Sequence, residues 1–230
     1  MLISPEARYE LSSFYVESIE LRAGPSAWLD LDDVPVHVAI VENLDRRVLV
    51  STVGNIRSKV TLKRGEAASG DLRDATIGDP NTVYGGLFRS IFVQTQSAEL
   101  NLSAPSLRAA HEVVATRHQP PASGIGAAYW PAPTVIDYLV TMGQLTQAVV
   151  YIAGDTNRSK VGTLWMRTME ISLGQPLLHT SAFETETRLL RDRVVARGGR
   201  RVHDLLVESS ATSGVIARSS LAYSENSGNG

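Results

Sequence analysis

The sequence contains no cysteine and carries almost no net charge. Without cysteine the chain can form no disulfide bond and has no thiol nucleophile, and its redox compartment cannot be inferred. Its 22 basic and 24 acidic side chains leave a formal net charge of −2. Such a balance gives no electrostatic reason to expect a nucleic acid partner.

Other signals are missing as well. The first ten residues lack a basic region followed by an apolar run, so no signal peptide is predicted. Asp137, Gln144 and Gln147 interrupt the one long apolar stretch, which argues against a membrane span. No two histidines have the spacing of metal ligands. The Gly-Ile-Gly stretch at residues 124–126 follows no predicted strand, so it does not indicate a dinucleotide-binding site. We therefore expect a soluble cytoplasmic protein with no metal, no cofactor and no membrane partner.

An apolar stretch from residue 134 to residue 153 predicts one long helix at the centre of the fold. Its large apolar residues recur at three- and four-residue steps, the helical period: Val135, Tyr138, Leu139, Met142, Leu145, Val149 and Ile152. Thr134 and Asp137 resemble a capping box at its start, and Gly154 supplies the stop. Because the opposite side is also mostly small or apolar, we expect the helix to be buried on most sides.

The first 64 residues indicate strands and no convincing helix. Residues 8–22 are expected to form one strand, residues 34–43 a short and well-buried strand, and residues 47–53 a third that could continue to residue 62. Residues 64–82 are rich in Gly, Asp, Ala and Ser, which favours a linker. A chain of 230 residues with 43% hydrophobic content suits one large domain or two small fused lobes.

The second half alternates strands and turns on either side of the helix. Strands are expected within residues 87–102 and at residues 163–172 and 215–223, with a hairpin at residues 183–196 and 200–208 around a Gly-Gly pair. Residues 105–114 are expected to form a short helix, and residues 117–133 a proline-rich loop. The predicted architecture is α+β, with a partial first lobe at residues 1–75, a second lobe at residues 76–225 and a disordered tail at residues 226–230.

This order of elements resembles the hotdog fold, in which one long helix lies in the curl of an antiparallel sheet; we expect a double hotdog. Two stretches are similar to the second lobe of polyketide-synthase dehydratases: V-Y-G-G-L-F-R at residues 83–89 and W-P-A-P-T-V-I-D at residues 130–137. There a Tyr-Gly-Pro-x-Phe stretch precedes a His-Pro-x-x-x-Asp helix start. L-T-Q-A-V-V-Y at residues 145–151 and T-L-W-M-R-T-M-E-I at residues 163–171 resemble the avirulence D family and, more distantly, the A-factor-synthesis hotdog proteins. The likenesses cover about residues 80–225.

The resemblance implies chemistry on acyl groups carried as thioesters on acyl carrier protein or coenzyme A, or on a late polyketide intermediate. Hotdog proteins dehydrate, hydrolyse or transfer such chains. The avirulence D and A-factor-synthesis groups are associated with joining β-ketoacyl chains to a hydroxylated acceptor on the way to small signalling metabolites. A dehydratase also needs a first-lobe histidine in a His-x-x-x-Gly-x-x-x-x-Pro stretch, and this sequence has none.

Asp137 is the first candidate for a catalytic residue. The resemblance places it where the dehydratase second lobe carries its acid, near the start of the central helix. A carboxylate beside apolar residues there could have a raised pKa and act as a general acid or base. A purely structural role is the alternative, because Asp in a first helical turn complements the helix dipole and completes the cap.

Further candidates lie on the helix and among the histidines. Gln144 lies two turns beyond Asp137 on the same face, with Thr141 between them, and an unpaired buried amide costs roughly 1–3 kcal/mol, so this polar stripe needs partners. A substrate carbonyl or a strand backbone could supply them. His118, just before the proline-rich loop, could approach Asp137. His37 is expected in the core, His203 on a hairpin surface, and His179 is a weaker candidate.

Side chains for substrate binding are expected around the helix. The candidates are Tyr84, Arg89, Tyr138, Thr141 and Trp165. The core is also expected to contain Trp165, Met166 and Met169. Arg158 and Lys160 could meet a phosphate group or an acidic carrier protein, or could be ordinary solvated charges.

Together these features predict an enzyme of bacterial specialised metabolism that acts on an acyl or β-ketoacyl thioester. The reaction could be dehydration, acyl transfer or cyclisation, with Asp137 at the polar end of a hydrophobic tunnel beside the helix. The alternative is a non-catalytic hotdog protein that binds an acyl chain or scaffolds a synthase. We expect a homodimer, or a reduced first lobe completed by a second subunit.

Overall fold

Ten strands and one long helix make up the fold. The structure is a computed structural model that describes residues 14–24, 35–42, 45–65, 80–117, 124–159, 161, 163–175, 181–197 and 200–224. The elements are β1 (Phe14–Ala23), β2 (Val36–Glu42), β3 (Arg46–Val53), β4 (Ile56–Arg64), β5 (Ile91–Asn101), β6 (Ser106–Ala115), α1 (Val135–Ala153), β7 (Trp165–Ser172), β8 (Ala182–Arg197), β9 (Arg200–Ala211) and β10 (Ile216–Ser224). Short 3-10 turns at Leu87–Ser90 and Ala127–Tyr129 precede β5 and α1.

The strands form one antiparallel sheet whose two halves repeat the same plan. Its order is β2-β3-β4-β1-β7-β10-β9-β8-β6-β5, so β1 and β7 lie side by side and three strands follow outwards from each in reverse chain order. At this seam Ser18–Arg22 pairs with Thr168–Ser172, and Glu20 lies opposite Glu170. Among the described residues only the second half continues, with β6, β5 and α1. The predicted linker lies mostly outside the described residues, so the lobe boundary at residue 75 stays a prediction.

The first half contains one more turn than the sequence suggested. Residues 47–62 belong to two strands, because Gly54 adopts a left-handed φ of 56° and turns the chain between β3 and β4. In the second half the predicted hairpin is confirmed, since β8 pairs with β9 along most of its length. The Gly-Gly pair of that hairpin and the predicted tail lie outside the described residues.

Strand β2 is an exposed edge strand, so the prediction of a well-buried strand is wrong. Val36 is 60% exposed and Val38 is 54% exposed. His37 between them is exposed too, so its predicted place in the core is also wrong. Within the described sheet β2 pairs with β3 alone. Its β-branched side chains favour the strand conformation, but this preference does not distinguish an edge strand from a central strand of a sheet.

Residues 106–115 form strand β6, so the prediction of a short helix there is wrong. Leu107, Ala109 and His111 are buried at every second position, whereas Arg108 between the first two and Glu112 after the last are exposed. This period of two is that of a strand. The strand pairs with β5 on one side and β8 on the other, which places His111 beneath α1.

Helix α1 begins and ends as predicted and packs over β5, β6, β8 and β9. Tyr138 and Val149 on its inner side are almost wholly buried. Its outer side is open, with Val140 49% and Ile152 43% exposed, so burial on most sides is not observed. By length and composition alone α1 could cross a membrane, but its inner side packs as the helix of a protein core does. One long helix packed against a large antiparallel sheet confirms the hotdog fold, and the repeated four-strand plan is consistent with a double hotdog.

Candidate active site

The first turn of α1 is closed by a capping box between Thr134 and Asp137. The Thr134 backbone N–H donates a hydrogen bond to Asp137 Oδ2 at 2.6 Å, and Thr134 Oγ1 donates to the same oxygen at 2.7 Å. The Asp137 backbone N–H donates in turn to Thr134 Oγ1 at 3.4 Å. This reciprocal pairing confirms the predicted cap and fixes the orientation of the carboxyl group.

The Asp137 carboxyl group is half-buried, and it is a weaker acid than an ordinary aspartate. Burial raises its pKa, and this effect outweighs the hydrogen bonds from Thr134, which lower it. Its second oxygen, Oδ1, accepts no hydrogen bond from any other described residue. Asp137 therefore has one oxygen anchored by the cap and one oxygen open to a proton donor or acceptor.

Tyr84 lies beside the same helical turn. Burial raises the pKa of its phenol to about 12, the backbone of Val135 lowers it by a hydrogen bond, and the charge of Asp137 raises it. The loop that carries Tyr84 needs glycine at residue 86, because a Cβ there would lie 2.6 Å from the carbonyl oxygen of Pro80. At neutral pH Tyr84 is therefore an uncharged hydroxyl group held against the start of α1.

A small cavity of about 40 Å³ adjoins the start of α1. Residues from both halves of the sheet line it, among them Tyr15, Val16, Tyr84, Trp130, Thr134 and Val135. Asp137 is not one of the lining residues. Since one water molecule needs roughly 10–15 Å³ of such space, the cavity accommodates a small polar group. It is far too small for the acyl-chain tunnel predicted beside the helix.

The predicted polar stripe along α1 is only partly buried. Thr141 is buried, and the Tyr138 ring lies 4.8 Å from the Phe183 ring, centroid to centroid. Gln144 is exposed on the outer side of the helix. The sheet covers only one side of α1, so position 144 lies on the uncovered side even though it is two turns from Asp137. The Gln144 side chain is therefore exposed to solvent and does not line the cavity.

The remaining predicted binding residues do not converge on one place. Arg89 is exposed, and its guanidinium group lies 5.6 Å from the centre of the Phe88 ring. Arg158 is exposed in the connection after α1. His118, His179 and Lys160 lie outside the described residues, so their predicted roles stay predictions. Of the loop candidates that the structure describes, Tyr84 alone lies at the start of α1.

Trp165 and Met166 are not core residues, contrary to the prediction. They are 49% and 42% exposed, whereas Met169 is buried as expected. The ladder between β7 and β1 ends at Thr168. Within the described sheet the first residues of β7 therefore pair with β10 alone, and their other edge is unpaired. The predicted role of Trp165 in substrate binding stays a prediction.

His111, which the sequence did not single out, is buried beneath α1. Its Nε2 lies 2.8 Å from Thr185 Oγ1, and its Nδ1 lies 3.2 Å from Thr95 Oγ1. The ring stacks on Phe183 at 4.8 Å. Burial lowers the pKa of His111, so the imidazole is neutral at neutral pH. The alternation of buried and exposed positions in residues 106–115 is the signal that would have revealed it.

His203 is buried too, so the prediction of a hairpin surface residue is wrong. It occupies an inward position of β9, where every second residue is buried. Its Nδ1 lies 2.9 Å from Asp192 Oδ1, and its ring stacks on Tyr223 at 4.3 Å. These contacts account for a polar side chain inside the sheet. Among the described residues no cluster of three His, Asp or Glu side chains could hold a metal ion.

Several solved structures are similar to this chain at low sequence identity. Acyl-CoA thioesterase II TesB2 from Mycobacterium marinum matches with a TM-score of 0.49 and 14% identity, over 99% of this chain and 85% of that one. A 12:0-ACP thioesterase from Umbellularia californica matches with a TM-score of 0.41 and 9% identity, over 90% and 72%. The dehydratase domain of a mycocerosic acid synthase-like polyketide synthase matches with a TM-score of 0.35 and 13% identity, over 99% and 88%.

Sequence comparison gives a more specific result. No curated protein matches the chain. One family model, described as Pseudomonas avirulence D protein (AvrD), matches residues 3–224. That range includes every described strand, the helix and the Thr134–Asp137 cap. The chain therefore belongs to the AvrD family.

Proposed function

We propose that this AvrD-family protein is an enzyme of bacterial specialised metabolism that acts on an acyl or β-ketoacyl thioester, or on a late polyketide intermediate. Asp137 is its general acid or base. The observation that carries this proposal is the state of the Asp137 carboxyl group, which is half-buried, has a raised pKa and keeps one oxygen open at the start of α1. A carboxyl group whose pKa is moved towards neutrality is better matched to proton transfer.

Proton transfer at carbon is the step that this site supports best. In a β-ketoacyl thioester the carbon between the two carbonyl groups carries an acidic hydrogen. Asp137 Oδ1 takes that proton, the C–H electron pair moves into the adjacent carbonyl group, and an enolate forms. The enolate can then attack an electrophilic carbonyl of an acceptor. A condensation or cyclisation that forms a bond at that carbon needs this step, and one carboxylate is sufficient for it.

Ordinary dehydration is less well supported. It would need a histidine partner for Asp137, and the described histidines are otherwise engaged or remote. His111 is bonded to Thr95 and Thr185, His203 is paired with Asp192, and His37 is exposed on β2. Condensation, acyl transfer or cyclisation therefore ranks above dehydration.

The alternative function is a non-catalytic hotdog protein that binds an acyl group or scaffolds a synthase. The small size of the cavity favours it, because about 40 Å³ does not hold an acyl chain. In either case the partners proposed are acyl carrier protein or coenzyme A thioesters, in the cytoplasm and without nucleic acid. A homodimer is proposed as the functional unit.

A matched pair of substitutions on α1 and just beyond it tests the proposal. Asp137→Asn removes the ionisable group, whereas Asp155→Asn makes the same change at an exposed residue after the opposite end of the helix, where the left-handed φ of 45° also suits Asn. The assay follows exchange of the C2 hydrogen of 3-oxooctanoyl-N-acetylcysteamine, and of the same acyl group on a carrier protein, for solvent deuterium.

Asp137→Asn should slow the exchange at least 100-fold, the lower range for loss of a general base. Asp155→Asn should leave it unchanged. Equal rates in the wild type and Asp137→Asn would remove Asp137 from the mechanism. Binding of the thioester without any exchange in the wild type would favour the scaffold.

A further inference from the structure

Trp130 is a buried side chain with an unpaired hydrogen-bond donor. Only 6% of the residue is exposed, and its ring packs with Val83, Leu87 and Ile91. No described residue accepts a hydrogen bond from its Nε1–H, although an indole nitrogen can only donate. Buried donors without partners are rare and cost free energy, so a protein that keeps one has a group to offer to something else.

Trp130 is one of the residues that line the cavity at the start of α1. Trp130, Tyr84 and Val135 all line this space of about 40 Å³. Val135 is the first residue of the helix, and the N–H groups of a first helical turn have no partner within the helix. The Tyr84 hydroxyl faces the backbone of Val135. The cavity is therefore bordered by hydrogen-bonding groups, while its volume admits an oxygen atom and the carbon that carries it.

Charge decides which kind of oxygen suits this space. The positive end of the α1 dipole favours a partially negative group. The Asp137 carboxylate two residues further on disfavours a full negative charge, because like charges at short range repel. A phosphate or a carboxylate is therefore a poor occupant. A carbonyl oxygen, which is neutral when it binds and gains charge only when a proton leaves the neighbouring carbon, satisfies both conditions.

We propose that the Trp130 indole N–H donates a hydrogen bond to a carbonyl oxygen of the acyl substrate in this cavity. The substrate class is an acyl group with a ketone or thioester carbonyl next to an acidic C–H bond. Asp137 takes the proton from that carbon, the electron pair passes to the carbonyl oxygen, and Trp130 stabilises the resulting enolate oxygen. This assignment rests on the proposed function and adds the group that binds the reacting oxygen.

Trp130→Phe tests the assignment because it keeps an aromatic ring in the packing while it removes the N–H group together with part of the indole ring. Tyr151→Phe is the matched control, since it removes one aromatic donor from a half-buried residue in the last turn of α1. Trp130→Phe should slow deuterium exchange into 3-oxooctanoyl-N-acetylcysteamine about 100-fold, the order seen when one oxyanion donor is lost. Tyr151→Phe should exchange at the wild-type rate.

A second measurement observes the indole directly. With ¹⁵N-tryptophan, the Nε1–H resonance of Trp130 should move downfield when the same thioester saturates the wild-type protein. Trp28→Phe and Trp165→Phe assign the three tryptophan signals by elimination. If Trp130→Phe does not fold, this wild-type shift decides the matter alone.

The outcomes separate the two proposals. If the wild type exchanges the hydrogen, Asp137→Asn does not, and Trp130→Phe matches the wild type with an unmoved indole resonance, the role of Trp130 is overturned and the proposed function stands. If the wild type neither binds the thioester nor exchanges its hydrogen, the proposed function fails and the role of Trp130 fails with it.

Discussion

Asp137 and Thr134 hold each other in place by hydrogen bonds that run in both directions, so the residue proposed to move protons is also part of the cap of α1. The cap leaves only one carboxylate oxygen open. Its hydrogen bonds also offset part of the rise in the Asp137 pKa that burial causes. The stability of the helix start and the pH range of the proposed chemistry are thus linked through Thr134.

Thr134→Ala should change stability and pH dependence together. Loss of the Oγ1 contacts should lower the free energy of unfolding by about 1 kcal/mol, as for other helix caps, which urea titration measures. Because those contacts lower the Asp137 pKa, their loss should raise it further above the ordinary value of about 3.9. The active form is the carboxylate, so the exchange rate rises with pH through this pKa, and its midpoint should move to higher pH. Thr134→Ser keeps the hydroxyl group and should leave the midpoint in place; a midpoint that stays put in the alanine variant contradicts the linkage.

His111 should make the protein less stable in mild acid. Burial lowers its pKa in the folded state, so its stabilising contribution is complete above the ordinary value of about 6.5 and is lost as the pH falls through the lower, folded-state value. His111→Gln should flatten this part of a stability profile measured by urea unfolding between pH 8 and pH 4. His37→Gln, at an exposed position, should not. A profile that stays equally steep without His111 would assign the acid sensitivity to other groups.

The seam between β1 and β7 should be sensitive to lost volume. Ile171 on β7 is fully buried and lies opposite Ile19 in the ladder, whereas Ile216 at the start of β10 is 45% exposed. Ile171→Ala should cost about 2–5 kcal/mol of unfolding free energy, because a cavity would remain. Ile216→Ala should cost about 0.5 kcal/mol, as surface changes do. Thermal and urea unfolding of the pair provide the measurement, and similar losses would show that the seam is loosely packed.

Features that depend on local sequence were predicted most accurately. Residues 134–153 carry a helical period, a cap pair and a terminal glycine, so α1 was placed within a residue of its ends. Strand β6 was mistaken for a helix because a run of Ala, His, Glu and Val has no strong local preference, and the pairing partners that decide it are distant in sequence. Whether β2 lies at the edge or at the centre depends on the order of the whole sheet, which no short segment encodes.

The same division holds for the candidate site. Asp137 is a candidate because its position in a helix start resembles that of a known acid, and Tyr84 is one because of its loop motif. Gln144 was misplaced because the covered side of α1 is set by the sheet beneath it rather than by helical period alone. Trp130 is a different case, since a tryptophan in a proline-rich loop reads as a packing residue. Only its three-dimensional surroundings show that the N–H group lacks a partner among the residues that the structure describes.

The cavity lies at the joint where the two halves of the sheet meet. Tyr15 and Val16 belong to β1, whereas Trp130 and Thr134 come from the other half. Among the described residues the alignment of the halves depends on the short β1–β7 ladder and on contacts such as the bond from the Gly126 N–H to the Phe14 carbonyl oxygen at 2.9 Å. Substitutions along that joint could therefore change substrate specificity during evolution and leave Asp137, the group proposed to transfer protons, unchanged.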